Sequence, residues 1–68
     1  MRQAVTTTDK PIQDLAAGDW LDTAMGVYRV VRIASPSLFN ANYLVTLAEN
    51  GQQFIVSRRP RSTCTVLS

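Results

Sequence analysis

Tyr43-Leu44-Val45-Thr46-Leu47-Ala48-Glu49-Asn50-Gly51-Gln52-Gln53-Phe54-Ile55-Val56 is the stretch that decides the fold of this chain. Two alternating segments, 43–47 and 52–56, flank the dipeptide Asn50-Gly51. Both central residues of a type I′ turn need positive φ, which glycine adopts freely and asparagine tolerates, and the twist of that turn matches the twist of its strands. The stretch therefore predicts a β-hairpin.

Working upstream, residues 27–33 (Val-Tyr-Arg-Val-Val-Arg-Ile) are rich in β-branched and aromatic side chains. A helix would set their arginines into its apolar stripe, so they read as a strand. A shorter strand is expected at 20–23, entered through Gly18-Asp19 and followed by a turn at Ala24-Met25-Gly26. Ser35-Pro36-Ser37 ends the longer strand, and Leu38-Phe39-Asn40-Ala41-Asn42 forms a loop. Downstream, Pro60 lacks the donor a central strand requires, so Arg58-Arg59-Pro60-Arg61-Ser62 breaks the ladder before a last strand at 63–67. Residues 12–17 allow one helical turn stopped by Gly18, with Ile12 and Leu15 capping an open end of the sheet. Residues 1–10 are polar, threonine-rich and aperiodic, and read as a flexible N-terminal arm closed by Pro11. The expectation is an all-β domain over 11–68, a small five-stranded antiparallel barrel, closed or partly closed, with an open meander as the alternative.

Asp14-Leu15, Gly18-Asp19-x-Leu21, Gly26-x-Tyr28-x-Val30, Tyr43-x-Val45-x-Leu47 and Asn50-Gly51 together resemble the broad class of small SH3-like β-barrels over roughly residues 12–67. The resemblance implies the fold and no single activity, since the class includes nucleic-acid-binding, peptide-binding and assembly-forming modules. The leucine followed by Gly-Asp is also similar to Hint-type domains, but the catalytic cysteine and histidine motifs of that group are missing.

With 68 residues the chain is one small domain with a thin core. Its content of 46% hydrophobic and 18% charged residues places it among folded globular chains. There is no histidine, which removes the commonest general base and metal ligand, and the single Cys64 allows neither an intramolecular disulfide nor a cysteine zinc site. The three glycines are isolated and each is explained by a turn, so there is no phosphate-cradling loop. Asp19 and Asp22, three apart in a strand, fall on opposite faces, and Asp19 after Gly18 reads as a turn residue. No catalytic residue, metal, cofactor or small-molecule substrate is expected. No apolar run is long enough for a bilayer span or a secretory signal, so the default expectation is a cytoplasmic protein with no membrane association.

Net charge is only +2, but it is unevenly placed. Acids crowd the first 22 residues, whereas Arg58, Arg59 and Arg61 stand in a C-terminal part free of acids. Three guanidiniums on a proline-stiffened loop suit successive phosphates, which each can grip with two hydrogen bonds. Arg29 and Arg32, three apart on a strand, are expected on opposite faces, so that one of them extends the patch. Solvated surface charge is the competing reading. Trp20 faces outward if Leu21 is core, which suggests a protein contact. Leu38 and Phe39 offer a second contact patch on a loop, although such a pair most often tucks back over the barrel end. The functional expectation is a non-enzymatic module binding nucleic acid through the arginines. The alternative is protein–protein interaction or self-assembly, including a homodimer, through Trp20, Leu38 and Phe39. Its size suits a small accessory protein of a virus, plasmid or bacterium.

Overall fold

The computed structural model describes residues 6–67. Among the described residues six strands form one antiparallel sheet: β1 (Thr7–Pro11), β2 (Trp20–Thr23), β3 (Gly26–Ala34), β4 (Tyr43–Glu49), β5 (Gln52–Arg58) and β6 (Thr63–Leu67). Their order is β1-β6-β2-β3-β4-β5, with a 3-10 turn at Ile12–Asp14 after β1. Among the described residues no helix is long and apolar enough to cross a membrane.

The all-β expectation holds, while the strand count and the closed barrel are corrected. The sheet has six strands rather than five, and it is not closed, since β1 and β5 are hydrogen-bonded on one side only. The added strand is β1, which lies within the stretch read as a flexible arm and pairs with β6 from Thr7↔Leu67 to Pro11↔Thr63. Its residues, Thr-Thr-Asp-Lys-Pro, show no apolar period, and only Lys10 is half-buried. A strand held at an edge by backbone pairing leaves little hydrophobic pattern to read. Pro11 fits there because an edge strand tolerates a missing donor. Residues 1–5 of the expected arm lie outside the described residues.

At the hairpin, Glu49 pairs with Gln52 across Asn50 (φ 51°) and Gly51 (φ 80°), the backbone signature of the type I′ turn. β3 is the longest strand and serves two neighbours, β2 through residues 26–29 and β4 through residues 29–34. Its pairing with β4 slips by one residue between Val30 and Arg32, so Val31 is a β-bulge that bends the strand and sharpens its twist.

Chain connectivity shows how far the sheet curls. In a flat sheet of this register the end of β5 and the start of β6 would lie roughly 35 Å apart, given ~4.8 Å between strands and ~3.3 Å per residue. Only Arg59, Pro60, Arg61 and Ser62 join Arg58 to Thr63, a reach of at most about 18 Å. The sheet must therefore fold back on itself, and the Val31 bulge is the bend the register shows. The concave face then packs against itself without a helical layer. Leu21, Val30, Val45 and Leu47 are essentially inaccessible, joined by Cys64 and Val66 of β6. Ile12 of the 3-10 turn and Leu15 just after it complete this core, at 1% and 6% exposure. The rings of Tyr28 and Phe54 meet edge to face at 5.0 Å from two strands that flank β4, and both pack against this core.

Candidate functional site

Two surfaces gather the side chains suggested by the sequence. The first lies at the end of the sheet where the β3–β4 and β5–β6 connections meet. Asn42 donates from Nδ2 to Ser57 Oγ at 3.0 Å, and an open cavity of about 410 Å3 is lined by Ala41, Asn42, Arg59, Pro60 and Arg61. Arg59 and Arg61 are exposed. Their turn is fixed by Ser62, which donates both its N–H and its hydroxyl to the Arg59 carbonyl, at 3.1 and 2.6 Å. Ser62 in turn accepts from the Ile12 N–H at 3.0 Å, which ties the loop to the core turn.

Arg58 does not join its two neighbours. It sits on the concave side of β5, half-buried, and its Nη1 donates to the Ser57 carbonyl at 2.9 Å. Alternation along β5 places it on the face of Phe54 and Val56, so Arg58, Arg59 and Arg61 are divided between a face and a loop.

Leu38 and Phe39 crown the neighbouring loop at 100% and 98% exposure, which corrects the expectation that such a pair most often tucks back over the barrel end. They occupy the two central positions of a turn in which the Ser37 N–H donates to the Asn40 carbonyl at 2.7 Å. Further bonds run from the Phe39 N–H to Ser37 Oγ at 3.2 Å and from the Asn42 N–H to Asn40 Oδ1 at 3.0 Å. Side chains at the tip of a turn fastened in this way point off the fold.

The second surface is the convex face of the sheet. Arg29 pairs with Ala48 and Arg32 with Thr46, two positions on the same side of β4. The two arginines therefore share this face, against the expectation of opposite faces. The bulge at Val31 adds the residue that reverses the parity. Trp20 lies opposite Arg29 across β2 and β3 and is 49% exposed, while its neighbour Leu21 is buried. Two open cavities, about 440 and 350 Å3, adjoin along this face and share Arg29 and Ala48 in their walls. Val27, Val31 and Ile55 stand on it at 41%, 38% and 62% exposure. Sequence reading missed this apolar component, because alternation shows which residues share a face and not which face remains open.

Among the described residues the one ion pair joins Lys10 Nζ to Asp19 Oδ2 at 2.7 Å. Arg29, Arg32, Arg59 and Arg61 thus have no acidic partner among the described residues. Asp19 also accepts the Ala16 N–H at 3.0 Å, and these two bonds hold its carboxyl below the usual carboxylate range. Asp19 acts as a structural turn residue, apart from Asp22, which is exposed on β2. Burial pushes the Cys64 thiol up, and its Sγ donates to the Lys10 carbonyl at 3.4 Å. No group of three or more His, Cys, Asp or Glu gathers among the described residues. Comparison with family models, with curated proteins and with solved structures finds no match to this chain.

Proposed function

We propose that this chain is a non-enzymatic SH3-like binding module that contacts a single-stranded nucleic acid, with Arg59 and Arg61 as its phosphate grips. The observation that carries the reading is the pair of exposed, acid-free guanidiniums on either side of Pro60, framing a cavity beside Asn42. A fixed turn presents two bidentate donors without the loss of freedom a mobile arm would suffer. Arg29 and Arg32 on the convex face supply a second cationic track. Trp20 beside Arg29 offers a base a ring to stack on, the other half of single-strand recognition. The SH3-like reading of the fold rests on the inward curl of β2 to β6, with β1 added outside β6.

Anisotropy of a labelled single-stranded oligonucleotide at two salt concentrations tests this reading. Arg59→Ala combined with Arg61→Ala should abolish binding at moderate salt. At low salt the variant's log–log salt slope should fall by about 1.4, since each phosphate contact on a single strand contributes about 0.7. Trp20 is the only tryptophan, so quenching of its emission on binding reports the convex face directly. An affinity and salt slope unchanged in the double variant would overturn the assignment.

A second reading is favoured by the full exposure of Leu38 and Phe39. Two large apolar side chains held off a small protein by a bonded turn suit insertion into a protein partner, and such a contact would persist at high salt.

A further inference from the structure

The two edges of the sheet are guarded very differently. β1 carries Asp9, Lys10 and Pro11, the charges and the proline with which edge strands resist pairing. β5 carries Gln52-Gln53-Phe54-Ile55-Val56-Ser57 before its first charge, with no proline, and its pairing with β4 is continuous from Tyr43↔Arg58 to Glu49↔Gln52. Ile55 stands 62% exposed at the middle of this edge.

The two-residue turn sets the phase of its hydrogen bonds. Glu49–Gln52 is the bonded pair beside the turn, and alternation makes Leu47–Phe54, Val45–Val56 and Tyr43–Arg58 bonded pairs as well. The N–H and C=O groups of Gln53, Ile55 and Ser57 consequently point away from β4. The bond from Arg58 Nη1 to the Ser57 carbonyl agrees, since that oxygen is open to a side chain at the edge.

We infer that β5 is a homodimerisation edge, on which the β5 strands of two copies pair antiparallel about a two-fold axis at Ile55. This inference does not rest on the nucleic-acid reading. In that register Ile55 faces Ile55, Gln53 faces Ser57 and Phe54 faces Val56 of the other copy. The outward groups of Gln53, Ile55 and Ser57 all find partners, about six backbone hydrogen bonds in all. Shifting the register by two residues in either direction loses one of the three bonded pairs. Arg58 falls opposite Gln52, so no like charges meet, and its hold on Ser57 leaves that carbonyl a second lone pair. The concave faces run on from Phe54 to Val56 across the axis, and the exposed Ile55 is covered by its own copy. An isologous contact of this kind closes at two chains, whereas pairing β5 with the charged β1 edge would propagate without closure.

Sedimentation equilibrium of the full chain over a wide concentration range should give twice the monomer mass of 7.5 kDa, falling to the monomer on dilution. Ile55→Lys sets two ammonium groups opposite each other and should give the monomer at every concentration with an unchanged far-UV spectrum. Amide exchange of the wild-type chain supplies a readout independent of that variant's folding. The amides of Gln53, Ile55 and Ser57 should be protected at high concentration and free on dilution, while those of Phe54 and Val56, bonded to β4, stay protected throughout. A monomer at all concentrations, exchange at the three outward amides independent of concentration, or a dimer that survives in a folded Ile55→Lys variant would each overturn the assignment.

Discussion

Asp19 shows how one side chain can hold several elements together. Its carboxylate takes Lys10 from the edge strand and the Ala16 N–H from the segment before β2, while its own carbonyl accepts the Val30 N–H at 2.8 Å. Because the folded protein holds this carboxyl below its ordinary value of 3.8, its contribution to stability is present above that value. It is lost as the pH falls through the lowered folded value. Asp19→Asn should therefore destabilise the protein near neutral pH by less than about 1 kcal/mol, as expected for a solvent-screened pair. The gap between variant and wild type in urea unfolding should narrow in strong acid. A gap independent of pH would assign the effect to packing instead. The turn role of Asp19 was legible from the preceding Gly18, but its partner Lys10, nine residues away on the edge strand β1, was not.

At the scale of elements, the hairpin and the bulge behave oppositely as sequence signals. Asn50-Gly51 states its own backbone geometry, because few other residues accept positive φ at both positions. Gly51→Ala should cost about 1–2 kcal/mol, the penalty for placing a Cβ in the left-handed region. Urea unfolding should show this as a lower midpoint with an unchanged slope. The bulge at Val31 carries no such mark, since Val30 and Val31 are interchangeable in propensity. It nevertheless decides that Arg29 and Arg32 share a face, and with it the composition of the convex surface. The loop at 37–42 is an intermediate case. Its residues announce a turn, but the bonds that hold Leu38 and Phe39 outward depend on which side chain folds back on which amide.

For the molecule as a whole, a single curved sheet must make its own interior, and little is left in reserve. A domain of this size draws only about 3–5 kcal/mol of net stability from its core. Leu47→Ala, at a site with no exposure, should cost about 2–5 kcal/mol and leave much of the protein unfolded at room temperature. Phe39→Ser, at 98% exposure, should shift stability by less than about 0.5 kcal/mol. Trp20 emission and far-UV circular dichroism distinguish the two outcomes. Comparable losses at both positions would mean that the 37–42 loop packs on the fold. The contrast follows from the architecture, in which large apolar side chains are divided between an interior that cannot spare them and surfaces that hold them out.

By itself the sequence determined the local chemistry of this protein. It specified an all-β chain, the Asn50-Gly51 hairpin, the strands at β2 to β6 within a residue or two, and the lack of histidine and paired cysteine. These depend on φ preferences, alternation and residue type, which act over a few neighbouring positions. Tertiary structure alone decided that Thr7–Pro11 is a sixth strand, that the sheet curls without closing, that Arg58 parts from Arg59 and Arg61, and that Ile55 stands at an open edge. Each of these is set by pairing between residues distant in the chain or by a one-residue slip in register. No local pattern encodes them, because a strand's backbone pairs equally well with any partner that the rest of the fold brings alongside.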